Sequence, residues 1–311
     1  MSGIVALTMN PAIDVAYWVE RLEPTRKLRA DNASVDPGGG GINVARVLVR
    51  LGNHVRSIYP SGGAGGVAYD NLVDLHQLVK TRVPVRGETR ISTAISERSS
   101  GNEYRISSPG PELSEDEWQA CLGLIGTMPC EYLVASGSLP PGVPTDFYAR
   151  VARIAGEHGA KFVLDTSGPA LAACVEQGGI FFAKPGLLEF EALVGRQLAD
   201  YAAIKVAARE FAGQGLVENL AVTMGEDGAV FVTRDRAMHL DAMPVDACST
   251  VGAGDSFVAG VVHAFARRYS TEDAFRMGVA AGAAAVLTPG TDLCRPADIE
   301  RLYAQVPVPE E

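Results

Sequence analysis

Ser249-Thr250-Val251-Gly252-Ala253-Gly254-Asp255-Ser256-Phe257-Val258-Ala259-Gly260 runs from a glycine-rich turn into a helix, because Phe257, Val261 and Phe265 repeat every four positions with Val258 and Val262 beside them. Two glycines and an alanine expose successive backbone N–H groups. Such a turn leaves unpaired donors at the positive end of a helix dipole, and together these hold anions. Asp255 stands in the first helical turn, where that field favours its ionised form. An anion hole beside a carboxylate suits phosphoryl transfer: the hole steadies charge on the moving group while the carboxylate takes a proton from an attacking hydroxyl. The same pattern also suits an ordinary helix start with an acidic cap.

The 311 residues, 47% of them hydrophobic, can bury a large core in one domain with a small appendage. No run reaches the roughly 18 uninterrupted apolar residues of a membrane helix. The opening segment Met1-Ser2-Gly3-Ile4-Val5-Ala6-Leu7-Thr8 lacks the basic start and cleavage site of a signal peptide and reads as a buried strand. Five scattered cysteines, Cys121, Cys130, Cys174, Cys248 and Cys294, form no C-x-x-C pair. They point to free thiols in a reducing cytoplasm rather than a zinc site. A net charge of −10 argues against nucleic-acid binding, so any bound anion must be met by a few local cations.

Short β-branched runs alternate with helical periodicity. Core strands are expected at Ile4–Thr8, Val55–Tyr59, Tyr132–Ala135, Lys161–Leu164, Ile180–Ala183 and Leu220–Thr223. Helices are expected at Ile42–Leu51, Val67–Val79, Glu115–Ile125, Thr145–His158, Leu187–Val194, Ala202–Ala212, Ala253–Arg267 and about Thr271–Leu287. This alternation implies an α/β fold, a mostly parallel sheet with helices on both faces and ligands at the carboxyl ends of its strands. Residues 13–35 and 82–108 read instead as extended, with a hairpin around Ser99-Ser100-Gly101-Asn102. We assign them to a small β appendage, a lid or dimer clasp, and the stretches 1–12, 36–81 and 109–311 to the α/β domain; a plain edge hairpin fits the appendage equally.

Other segments carry candidate chemistry. Asp36-Pro37-Gly38-Gly39-Gly40-Gly41-Ile42-Asn43 lets a ligand approach bare backbone, and Asn43 offers a donor and an acceptor that suit a sugar hydroxyl; a flexible turn is the alternative. Gly63-x-Gly65-x-x-Ala68 mimics a dinucleotide-binding pattern, but no acidic residue stands suitably about 20 positions on. A glycine-rich strand-to-helix connection is the better account. Ser136 to Gly142, Asp165-Thr166-Ser167-Gly168, Lys184-Pro185 and Thr223 to Gly228 all fall where strands end. In the appendage, Lys27, Arg90 and Arg105 are either solvated cations or partners for a phosphate already on the substrate.

Together, Gly39-Gly40-Gly41-Ile42-Asn43-Val44-Ala45 with Gly52 and Gly62, and Ser249 through Val262, resemble the ribokinase-like (PfkB) carbohydrate kinases over essentially the whole chain. Gly40, Lys27-Leu28-Arg29, Glu103-Tyr104-Arg105 and Gly290-Thr291-x-x-Cys294 are similar to the ATP-dependent 6-phosphofructokinase branch. The resemblance implies a ribokinase-like fold. It implies sugar binding by Asp14, Gly38, Gly39, Asn43 and Ser138, with the sugar's phosphate held by Lys27, Arg90 and Arg105. An ATP site would be lined by Lys184, Thr223, Gly225, Gly228, Thr250, Gly252 and Gly254. Asp255 would be the general base and the Gly252-Ala253-Gly254 amides the anion hole. A lid that also makes a homodimer, with Mg²⁺ as cofactor, follows from the same likeness, which leaves a potassium requirement near Thr250–Gly252 open.

One departure stands out. Relatives usually carry an asparagine directly after Lys-Pro, three residues before a glutamate, and the pair orders magnesium through water. Here the glutamate is Glu189 but the asparagine position is Gly186, which predicts weakened or rearranged magnesium handling with activity retained. The implied reaction is transfer from ATP to fructose 6-phosphate. A 1-phosphofructokinase, a tagatose-6-phosphate kinase and a non-catalytic sugar-phosphate sensor are the alternatives, and a dehydrogenase rests on the glycine mimic alone.

Overall fold

The computed structural model describes residues 3–309; Met1, Ser2, Glu310 and Glu311 lie outside the described residues. The first third of the chain gives β1 (Ile4–Leu7), β2 (Ala12–Val19), β3 (Asn32–Gly38), α1 (Gly40–Arg50), β4 (Val55–Gly62), α2 (Gly63–Leu75), β5 (Val79–Val85), β6 (Arg90–Glu97) and β7 (Glu103–Ser107). There follow α3 (Glu115–Thr127), β8 (Tyr132–Ser136), α4 (Phe147–Glu157), β9 (Lys161–Asp165), α5 (Gly168–Gln177), β10 (Ile180–Ala183), α6 (Leu187–Val194) and α7 (Tyr201–Gly213). The last third holds β11 (Val217–Thr223), β12 (Ala229–Thr233), β13 (Ala237–Leu240), α8 (Ala253–Ala266), α9 (Thr271–Val286) and α10 (Pro296–Tyr303).

Nine strands form one sheet in the order β13-β12-β11-β10-β9-β8-β1-β4-β5. All pairings from β11 to β5 are parallel, and β12 and β13 close one edge antiparallel. Because side chains alternate across a strand, β1 divides its apolar residues between two cores. Ile4 and Ala6 pack with Ile42, Phe257, Val261 and Phe275 of α1, α8 and α9. Val5 and Leu7 pack with Trp118, Phe147, Leu171 and Phe190 on the opposite face. This is the expected ribokinase-like arrangement of helices on both faces of a mostly parallel sheet.

A second sheet, β3-β2-β6-β7, stands apart; β2 and β6 pair in parallel and the outer pairs are antiparallel. It contains the hairpin read from the sequence. The expected extent of the appendage needs correction, however: within segment 82–108, Arg82 to Val85 belong to β5, the far edge of the large sheet, and β3 runs past residue 35 to Gly38. Val79-Lys80-Thr81-Arg82-Val83-Pro84-Val85 alternates as a half-exposed edge strand does, and Pro84 is tolerated because an edge needs no donor there. The helix expected to end at Val79 stops at Leu75 and begins earlier, at Gly63.

That earlier start explains the Gly63-x-Gly65 pattern. The amides of Ala64 and Gly65 donate to the two carboxylate oxygens of Glu88 at 3.2 and 3.1 Å. Gly63 takes φ 65°, and a Cβ there would collide with that carboxylate. The anion in this helix start is the chain's own side chain.

Candidate active site

The carboxyl ends of four neighbouring strands, β8, β9, β10 and β11, deliver Ser136, Asp165, Lys184 and Thr223 in a row. Two helix starts aim at the same place: α1 supplies Asn43 and α8 supplies Asp255. Asn43 Nδ2 donates to Asp255 Oδ2 at 2.9 Å, across 212 positions of sequence. Ser136 Oγ donates to Asp255 Oδ1 at 3.3 Å and lies 3.4 Å from Asp165 Oδ2. Lys184 Nζ pairs with Asp165 Oδ1 at 3.1 Å, and both side chains are largely buried.

Burial, with the nearby Asp165 charge, pushes the Asp255 carboxyl up to about 6, against the pull of the Asn43 hydrogen bond and the Lys184 ammonium. A value in that range suits a general base at neutral pH: mostly ionised, yet a better proton acceptor than an ordinary carboxylate. Burial works against the Lys184 ammonium, but Asp165, then Asp255 and Glu189, hold its pKa above the usual value. It therefore stays charged. Gly252 caps α8 with φ 74°, a left-handed conformation that favours glycine. The Ala253 amide, expected in the anion hole, instead bends back to Thr250 O at 3.4 Å, and the Ser256 amide donates to Gly252 O at 2.8 Å. The first-turn amides outside these bonds are those of Gly254 and Asp255. A Cβ on Gly254 would lie 3.2 Å from Lys184 Nζ, so the ammonium and the helix start border one space.

On the other side of Asp255 the small sheet contributes Asp14, Arg90 and Arg105 from adjacent strands β2, β6 and β7. Burial raises Asp14 to about 7; Arg46 and Arg90 pull it down, Asp255 adds to the rise, and Arg105 pulls down weakly. Gly38 is glycine because a Cβ would run into the Asp14 carboxylate, and Gly39 completes the turn at φ 102°. Arg90 donates to Ser108 O at 2.8 Å and Asn10 O at 2.9 Å, and its buried Nε has no partner. Ser138 holds Asn10 Nδ2 at 3.1 Å. Lys27 is exposed on the connection between β2 and β3 and is not drawn into this cluster within one chain.

The expected nucleotide side is more open. Thr223 bridges to Gly186, and its amide donates to Pro185 O at 3.1 Å. Gly225 opens the following turn, while Gly228 is glycine because a Cβ would meet Leu240 O of β13. Thr250 is exposed just before Gly252. Glu189 Oε2 accepts from the Gly186 amide at 2.8 Å. Among the described residues no three His, Cys, Asp or Glu side chains cluster to hold a metal. The donor set fits a magnesium ion brought in on a triphosphate, which needs few protein carboxylates and keeps water.

Four residues outside the expected set belong to the site. Asp165 and Ser136 contact Lys184 and Asp255, and the signal for both was their position at strand ends. Asn10 ties Ser138 to Pro109 O at 2.9 Å. Arg46, 2% exposed, donates to Asp36 Oδ1 at 2.8 Å, Pro37 O at 3.2 Å and Asn43 Oδ1 at 3.5 Å, bracing the glycine loop from beneath. Nothing in the sequence marks an arginine on an apolar helix face as fully buried. A hollow of about 500 Å³ at the amino ends of the strands, lined by Ile4, Val55 and Met128, and another of about 640 Å³ beside Arg150 and Arg153 lie away from these groups. Among the described residues no helix is long and apolar enough to cross a membrane.

A family model described as pfkB family carbohydrate kinase matches residues 4–298. An ATP-dependent 6-phosphofructokinase isozyme 2 of Mycobacterium tuberculosis is 37% identical over 310 residues, covering 99% of this chain and 91% of its own. The phosphofructokinase-2 of Escherichia coli, solved in complex with potassium, superposes with a TM-score of 0.93 at 36% identity, over 98% of this chain and 99% of its own. It has also been solved with fructose-6-phosphate, with a TM-score of 0.92 at 34% identity over the same shares. A 1-phosphofructokinase of Xanthomonas campestris is 32% identical over 265 residues, 84% of this chain and 83% of its own.

Proposed function

Because the chain belongs to the pfkB family of carbohydrate kinases, and is a phosphotransferase acting on the hydroxyl of a fructose phosphate, we propose that its substrate is fructose 6-phosphate and its product fructose 1,6-bisphosphate. The observation that carries the reading is the Asp255 carboxylate, set between Asn43 and Ser136 at a helix start that Lys184 borders. In the reaction the C1 oxygen forms a bond to the γ-phosphorus of ATP, the bond from that phosphorus to the β-bridging oxygen breaks, and Asp255 takes the hydroxyl proton. Lys184 and the α8 amides meet the charge on the moving group. Asp14 and Asn43 orient the sugar hydroxyls, while Arg90 and Arg105 hold its phosphate. Magnesium on the triphosphate would neutralise phosphate charge, with Glu189 and Asp165 the carboxylates beside Lys184 that would reach it through water. The E. coli relative has been solved in complex with potassium, which supports a potassium requirement here, with the Thr250–Gly252 turn as our proposed place for the ion.

The higher identities to 6-phosphofructokinases than to 1-phosphofructokinases favour this substrate. A coupled ADP-release assay across fructose 6-phosphate, fructose 1-phosphate and tagatose 6-phosphate, run with KCl and with choline chloride, tests it. The highest kcat/KM should fall on fructose 6-phosphate; a preference for fructose 1-phosphate moves the assignment to the 1-phosphofructokinases.

We also propose that the small sheet serves as lid and homodimer clasp. Tyr17, Val35, Ile91, Tyr104 and Ile106 remain exposed on it, Ile106 at 63%. Such an apolar sheet face marks a contact with another copy. The E. coli relative has itself been solved as a tetrameric inhibited form. The five cysteines are free, which supports a cytoplasmic setting.

A further inference from the structure

Strand β7 touches the loop before α8. Ser249 Oγ donates to Glu103 Oε2 at 2.7 Å, a short charge-assisted bond between segments 146 positions apart. Ser249 is buried, and its Oγ also accepts from the Val251 amide at 3.2 Å. From the other side the Cys248 amide donates to Val286 O at 2.7 Å. The loop that sets Gly252, and through it the α8 amides, is therefore held between the small sheet and the end of α9.

Glu103 and Arg105 are two positions apart on one strand and so share a face. The face that carries Arg105 toward the sugar phosphate carries Glu103 to Ser249. We propose that Glu103 is a positioning residue that couples phosphosugar binding to the nucleoside triphosphate site: a phosphate drawn to Arg105 fixes β7, and β7 through Glu103 fixes the Ser249–Gly252 loop in its anion-binding form. A second contact runs alongside: a Cβ on Gly290 would lie 2.9 Å from Ala16 Cβ and from the Trp18 ring, so the Gly290 backbone sits close against both, and Leu293 lies against Gly252. That contact is apolar and lies in the same cross-strand rows, since Trp18 pairs with Ser96 and Ser96 with Glu103. Glu103 adds the polar contact to the loop that carries Ser249.

The inference rests on the kinase reading and is tested separately from it. The dissociation constant of Mg·AMP-PNP is measured by calorimetry with and without saturating phosphosugar, using whichever of fructose 6-phosphate or fructose 1-phosphate the wild type turns over. The sugar should tighten nucleotide binding on the order of tenfold in the wild type, an ordinary size for such coupling. In Glu103→Ala the ratio should fall to about 2 or less, with thermal melting unchanged and the ATP KM raised more than kcat is lowered. Glu103→Gln keeps an acceptor oxygen and should restore most of the ratio, while Ser249→Ala should lose it. A ratio unchanged in Glu103→Ala, or absent from the wild type, overturns the coupling. Failure of the wild type to turn over fructose 6-phosphate overturns only the substrate assignment.

Discussion

Replacing Asp255 by asparagine should reduce turnover and raise stability together. Removing a general base costs on the order of 10²- to 10⁴-fold in rate, and the amide cannot take the hydroxyl proton. Stability moves the other way. A carboxyl with a pKa of about 6 in the folded chain against 3.8 outside it costs the fold about 3 kcal/mol once ionised. Asparagine removes that cost but accepts only one of the two hydrogen bonds that Asn43 and Ser136 now donate, forfeiting about 1 kcal/mol. The remainder, about 2 kcal/mol, corresponds to a rise of roughly 3 °C in melting temperature for a chain of 311 residues. The sign follows from linkage: the folded chain holds this proton more tightly, so wild-type stability is lost as pH rises through about 6, and the variant's advantage should shrink from pH 8 to pH 5. The same ionisation makes wild-type kcat rise with pH through about 6 and then level off. Coupled-assay kinetics and thermal melts at the two pH values read both effects. Near-wild-type kcat, or a melting temperature lowered equally at both pH values, would refute the role given to Asp255.

Arg90→Ala should raise the KM for the phosphosugar by about 10- to 100-fold, the worth of a charge-assisted bond to phosphate, with a smaller fall in kcat; an unchanged KM in steady-state kinetics removes Arg90 from the phosphate site. Gly186→Asn should lower the magnesium concentration needed for half-maximal rate. The backbone there suits any residue, and a Cβ meets only ordinary contacts, 3.7 Å from Glu189 Oε2 and 4.0 Å from Thr223 O; a magnesium titration that does not move shows Glu189 already sufficient.

The central sheet was legible because its buried strands are short β-branched runs between breaks. The misses share a cause, weak periodicity. β12 and β13 have no helix between them to mark them off, α5 begins at Ser167-Gly168-Pro169 and so reads as a turn, and β5 alternates as an appendage strand would. α10 is only eight residues long. For the site, the glycine segments announced two helix starts, but no spacing rule places Asn43 against Asp255 across 212 positions. Arg46 shows the limit most clearly. Its polar partners are a carbonyl, an amide oxygen and Asp36, and Asp36 is engaged in turn by His76 and Thr291. Only tertiary structure assembles that set.

The carboxylate of Glu88 in the α2 amides bears on where this chain can hold a free phosphate. Three glycine-rich turns lead into helices, at α1, α2 and α8, and by local sequence alone each could trap a phosphate. The one at α2 is filled from within. A free phosphate approaching α2 would have to displace this tethered carboxylate, which the intervening chain holds at high effective concentration.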